Sequence, residues 1–246
     1  MTAAWDGPDS PTGGVRPLAA SSGRRLGTLA YDRLKERLLE GGYKAGERLS
    51  MEALKAEFQV SKAPVMDALR RLEADGLIEI IPQSGCRVPV HSAQSVADFF
   101  AVFGGMEGAV AGVAAQRRTE SQLQELIAVN DQIKQLDADP DPAARAHGYR
   151  LLNRRFHAII HAMAHSPVVS EISSRMWDRS DLLINTSGVP QPLASAVSGR
   201  HADHERIITA LKKQDNAAAR AEMEAHILGT IDVIHAEAAS RAPGTA

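Results

Sequence analysis

The chain has 246 residues, 44% of them hydrophobic and 24% charged, with a formal net charge of −2; this excludes a disordered chain and leaves room for one large domain or two ordinary ones. No run approaches the roughly 18–20 consecutive apolar residues of a membrane span, and the single cysteine, Cys86, excludes an internal disulfide framework and fits a reducing cytoplasm. The charge is uneven, with a net +3 over Val15–His91 and a net −3 from Ser92 onward, which permits nucleic-acid binding by the front half without requiring it.

The opening "MTAAWDGPDSPTGGVRPLAASSG" carries Gly, Pro and Ser without an apolar core, so residues 1–24 read as a flexible tail rather than a secretory signal. In "RRLGTLAYDRLKERLLEGGY", Leu29, Leu34, Leu38 and Leu39 fall at helical spacing and Gly41-Gly42 ends the helix. Ser50 can cap a short second helix carrying Leu54 and Phe58. Ser61 can cap a third, "SKAPVMDALRRLEADGL", where Pro64 is tolerable in the first turn, Val65, Ala68, Leu69 and Leu72 face inward, and Gly76 closes the helix. "LIEII", a "PQSG" turn and "CRVPV" then predict two short strands joined as a hairpin. Three helices and a hairpin over residues 25–91 make a winged helix-turn-helix.

That layout has a mechanical meaning. The third helix would enter the major groove of double-stranded DNA, N-terminal residues nearest the base edges, while the wing reaches backbone or minor groove. Ser61 begins that helix, and Lys62, Ala63, Met66, Arg70 and Arg71 lie off its buried stripe; Gly85 in the wing lets backbone approach without a side chain in the way.

The stretch "VSKAPVMDALRRLEADGLIEIIPQSGCRV", with "GGYKAGERLSMEALKAEFQVS" before it, closely resembles the winged-helix signature of the GntR family of bacterial transcription regulators. Two positions depart from the family pattern: Lys62-Ala63 stands for the usual Arg-Thr, and Met66 for the usual Arg. Arg is the commonest bidentate reader of guanine, so Met66 removes one expected base or phosphate contact.

After a linker at 92–96 the pattern changes to long helices, expected at 97–117, 119–138, 143–165, 167–185, 192–213 and 215–238, before a short tail at 239–246. Breaks at "DADPDP" and "SGVPQP" separate them. About six helices make a compact all-α domain over 97–238, so the fold class is mostly α with a small β-hairpin wing. This order resembles a FadR-type regulator with a C-terminal FCD ligand-binding domain.

"LLNRRFHAIIHAMAH" carries Asn153, His157, His161 and His165, each four residues after the last. Four residues advance about 40° round a helix, so the ladder divides: Asn153 and His157 lie at the edge of the apolar stripe, His161 further round, and His165 faces solvent. His204 sits within the apolar stripe of "HADHERIITALKKQ", and His226 borders Met223, Thr230 and Val233. By residue pattern alone these are either hydrogen-bonded core histidines or a shared metal site.

The resemblance points to the second, because many FCD domains hold a metal with an Asp-x-x-x-His pair and a His on each of two later helices. It implies Asn153, in the Asp place, with His157, His204 and His226 as ligands of a divalent ion, with Zn, Ni or Mn suiting the donors. A neutral Asn leaves more positive charge on the ion, which favours a carboxylate effector. The first helix of such domains often carries a carboxylate-clamping Arg where this chain has Phe103, followed by Glu107. Phe103 is either an apolar wall of the effector pocket or core, and Glu107 a packing or supporting group beside it. His147, His201 and His235 read as solvated, with His91 in the linker.

The expectation is therefore a cytoplasmic, homodimeric regulator on a palindromic operator, controlled by a small-molecule effector beside a metal, with no membrane role. The alternatives are a sensor for which the metal is the signal, and a metal-dependent enzyme using the histidine cluster.

Overall fold

A computed structural model describes residues 23–83 and 85–241 of the chain. Most of the tails expected at 1–24 and 239–246, with Trp5 and Ser84 of the wing turn, lie outside the described residues. The chain divides into two compact units: one takes the chain through Glu36 and then Glu47–Val88, the other takes Arg37–Gly46 and everything from Pro89 onward.

In the first unit α1 (Gly23–Leu39) buries Ala30 and Leu34. After β1 (Arg48–Leu49), Ser50 Oγ accepts the Ala53 N–H and opens α2 (Met51–Phe58), as its cap position predicts. Helix α3 (Lys62–Ala74) buries Val65, Ala68, Leu69 and Leu72 as expected, and Pro64 sits in its first turn. Ser61 occupies the N-cap position but makes no side-chain capping bond. At the other end Gly76 adopts φ +71, and Leu77 N–H bonds back to Leu72 C=O while Gly76 N–H bonds to Glu73 C=O; this left-handed closure is what glycine makes cheap.

Strands β2 (Glu79–Ile81) and β3 (Gly85–Arg87) form the expected hairpin, Ile80 opposite Cys86. β1 adds a third strand on the other side of β3, giving the order β1-β3-β2. Two residues are too few to register as a period-two pattern, which is why the sequence reading holds two strands only. Cys86 lies buried in the middle strand, its thiol donating to Leu49 C=O, and burial raises its pKa.

Among the described residues, the second unit holds, after the end of α1, six helices: α4 (Ala93–Arg117), α5 (Glu120–Leu136), α6 (Pro142–Met163), α7 (Pro167–Asn185), α8 (Val197–Lys212) and α9 (Asn216–Arg241). The count matches the expectation. Helix α4 begins four residues earlier than expected because Ser92 Oγ caps it through the Ser95 N–H, and α8 starts later because 186–196 is a chain of turns. Helix α4 has the length and apolarity of a membrane span, yet it is the central helix of the bundle, with Phe100, Phe103, Ala111, Ala114 and Ala115 buried in the core and Glu107 buried midway. Helix α9 lies along it over Gly104, Gly108 and Gly112, and a Cβ at Gly108 would stand 2.8 Å from Arg220 C=O.

Candidate functional site

On the first unit, Ser61, Lys62, Ala63 and Arg70 of α3 are exposed, and Met66 and Arg71 half-buried. Arg71 is committed inward: its guanidinium lies 3.9 Å from the Tyr31 ring centre and Nη1 donates to Thr28 Oγ1. It ties α3 to α1 more than it offers a free charge. In the wing Gly85 is exposed at φ +95, with open space where a side chain would stand.

In the second unit His157, His204 and His226 come together from α6, α8 and α9, one ligand-capable atom of each within 4.8 Å of the others. All three are buried, at 0, 0 and 2% exposure. Phe156 stacks on His204 at 3.8 Å between ring centres, and Trp177 lies 4.1 Å from His157. Burial, and next the His226 ring, push the imidazoles of His157 and His204 well below their ordinary range. Burial and the Arg200 charge bring His226 to about 4. All three are thus neutral at pH 7, the form that ligates.

Their polar partners are incomplete in an informative way. Asn130 Oδ1 lies 3.1 Å from His204 Nδ1, and Asp203 Oδ2 lies 3.3 Å from His226 Nδ1. Burial raises the Asp203 pKa, but the His226 hydrogen bond and Arg200 outweigh it and hold it at about 2. Both nitrogens of His157 and Nε2 of His204 have no hydrogen-bond partner among the described residues. Buried polar atoms are normally satisfied, so clustered, neutral, unpartnered nitrogens fit a metal ion. Asn153 is buried on α6, one turn before His157, and its Oδ1 accepts the Tyr149 hydroxyl at 3.1 Å.

Beside this centre is a cavity of about 400 Å³, bordered by His226, Asn153, Tyr149 and Thr230 on one side. Phe100, Trp177, Ile184 and Ile227 supply apolar wall, and Val189–Leu193 closes another side. That last segment is held by Glu237 of α9, which accepts the Leu193 N–H at 3.0 Å and the Ser195 hydroxyl. Two arginines also border the cavity: Arg200, which bonds Asp203, His226 C=O and Thr230 Oγ1, and Arg150, which pairs with Glu40 at 2.8 Å. Neither appears in the sequence reading. Arg200 does stand four residues before His204, and Tyr149 four before Asn153, each pair on one helical face; Arg150 has no such relation to a singled-out residue.

Phe103 and Glu107, expected at the effector pocket, do not border this cavity. Phe103 is fully buried one layer back, its ring 5.0 Å from that of Trp177. Glu107 accepts the Ser173 hydroxyl and lies 2.8 Å from His161 Nε2, with His157 Nδ1 at 3.8 Å. His161 is itself buried, because α4 and α7 cover the face that a helical wheel leaves open. His165 is exposed just past the end of α6, as expected. His91, His147 and His235 are exposed, His147 also bordering the cavity beside Glu40, and His201 is half-buried. The trio of Ser173, His161 and Glu107 is not a nucleophile arrangement: the serine hydroxyl is spent on the carboxylate, which shares the same ring nitrogen instead of holding the other one.

A winged helix ahead of an all-α bundle with a histidine-lined interior defines a class, the DNA-binding regulators that carry a separate ligand domain. The chain belongs to the gntR family of bacterial regulatory proteins, which residues 27–88 match, and residues 98–229 match the FCD domain. It is similar to the transcriptional repressor GlaR of Escherichia coli, 24% identical over 83% of this chain and 93% of that one. It is 26% identical to the transcriptional regulator LutR of Bacillus subtilis over 79% and 94% of the two chains, and 28% identical to the E. coli Exu regulon transcriptional regulator over 82% and 81%. Its fold matches that of E. coli McbR/YncC with a TM-score of 0.73 at 20% identity over 87% of this chain and 98% of the other. A putative GntR regulator from Rhodococcus sp. RHA1 matches with a TM-score of 0.61 at 20% identity over 88% and 97%. The chain is a transcriptional regulator of GntR/FCD type.

Proposed function

We propose that the chain controls transcription as a cytoplasmic homodimer on a palindromic operator. Lys62, Ala63, Met66 and Arg70 of α3 and Gly85 of the wing meet DNA, and a small acid bound in the α-helical unit sets the operator affinity. Two-fold dimers read two-fold operators. The observation that carries the ligand half is the cluster of three buried, neutral imidazoles, two of them with unpartnered nitrogens, beside a cavity of about 400 Å³. His157, His204 and His226 would hold the ion, with Asn153 as the neutral fourth donor. When bound, the ion supplies a fixed positive charge and open positions for an oxygen donor. The chain's own groups would do the rest: Arg200 and Tyr149 meet the polar end of the ligand, Phe100 and Trp177 its apolar part.

A ligand that prefers one arrangement of the protein by about 1–3 kcal/mol changes operator affinity about 5- to 150-fold. The test is to select an operator from a random DNA pool, then measure its affinity with and without a panel of mono- and dicarboxylates in the presence of zinc. One acid shifting the affinity at least five-fold, with the shift lost in His204→Ala, supports the reading. A response to zinc alone, with no acid adding to it, would favour the metal as the signal.

A further inference from the structure

We propose that Glu107, Asn130 and Asp203 form an outer layer that puts the ring proton of each central imidazole on Nδ1 and leaves the three Nε2 atoms free, with His161 and Ser173 as the anchors of Glu107. The inference rests on the metal-centre reading above. Each acceptor meets the same ring position on a different histidine: Asn130 Oδ1 at 3.1 Å from His204 Nδ1, Asp203 Oδ2 at 3.3 Å from His226 Nδ1, Glu107 Oε2 at 3.8 Å from His157 Nδ1. The last is longer than a hydrogen bond and acts through charge, between two groups, Glu107 and His157, that are both buried.

Two of the acceptors are themselves oriented. Asn130 Nδ2 donates to Glu205 Oε1 at 2.7 Å, so its carbonyl oxygen faces the ring. Glu107 receives the Ser173 hydroxyl on Oε1 and the His161 Nε2–H on Oε2, so its carboxylate cannot turn away from His157. A neutral imidazole ligates through the nitrogen that lacks the proton, and the partner on the other nitrogen decides which that is. His161 thereby has a task without being a ligand: it pins the group that orients His157.

Glu107→Gln keeps the shape and the Ser173 bond but turns an NH₂ donor toward His161 and His157. His157 then favours the proton on Nε2, the wrong nitrogen for the centre. The measurement is a long-range ¹H–¹⁵N correlation of ring nitrogens in the metal-free, full-length protein, followed by zinc titration of the same samples. In the wild type, His157, His204 and His226 should all carry the proton on Nδ1. Glu107→Gln should switch His157 alone and weaken zinc binding by about 10- to 100-fold. Wild-type His157 protonated on Nε2, or a Glu107→Gln protein with unchanged tautomer and zinc affinity, overturns the inference. If that variant does not fold, Ser173→Ala removes one anchor and keeps the carboxylate; a growing Nε2–H population of His157 supports the outer layer and none overturns it. A wild type with three Nδ1–H rings that takes up no zinc overturns the metal-centre reading and leaves the outer layer standing.

Discussion

Acidifying the metal-free protein from pH 7 to pH 5 should destabilise the helical unit, and the size of the loss follows from His226. Its folded-state pKa is about 4, against about 6.5 for an unfolded histidine. Between those values the unfolded chain binds the proton and the folded one does not, so stability is fully present above about 6.5 and falls as pH drops toward 4. For one site, this difference at pH 5 amounts to about 2 kcal/mol relative to neutral pH. His157 and His204 are shifted in the same direction and add to the loss. Asp203 works in a different window: with a pKa of about 2, its contribution is intact above the unfolded value near 3.9. Trp177, beside His157, reports the site directly, and Trp5→Phe removes the other tryptophan. Urea unfolding in chelator, followed by Trp177 fluorescence, should show a midpoint lower by on the order of 1 M at pH 5. A midpoint that is flat or rises between pH 7 and pH 5 would refute the buried, neutral state of these rings.

Lys62→Ala and Arg70→Ala should each weaken operator binding while the helical unit keeps its melting temperature, and the logarithmic salt dependence should flatten by about one ion per lost phosphate contact; anisotropy titrations at several salt concentrations check this. Arg71→Ala should instead lower the stability of the first unit, because its guanidinium covers the Tyr31 ring, and an effect on DNA affinity without one on stability would count against that role. Gly108→Ala should destabilise the helical unit by about 1–3 kcal/mol, since the new methyl group meets the backbone of α9 at Arg220; thermal unfolding reads this.

Much of this architecture is legible in the residues themselves, because it depends on local rules. Ser50 and Gly76 mark helix ends through bonds made within a few residues of each, and the apolar stripe of α6 predicts the burial of Phe156, Ile160 and Met163. What escaped depends on which helix lies against which. A helical wheel gives the face on which His161 stands, but that α4 and α7 cover that face is a property of the assembled bundle. Phe103 shows the same limit in reverse: its face is inward, yet Trp177 stands between it and the cavity. Arg200 and Tyr149 were within reach of the four-residue step that singles out His157. Each stands on the same helical face as a residue that step selects, but only the assembled bundle brings both to the border of the cavity.

The most direct test of the account is the metal content of untagged protein purified without chelator, measured by elemental analysis beside His157→Ala and His204→Ala. The account predicts close to one divalent ion per chain in the wild type and little in either variant, with all three proteins folded. No metal in the wild type, or wild-type occupancy in both variants, would contradict it and reduce the three histidines to polar packing in the core of the bundle.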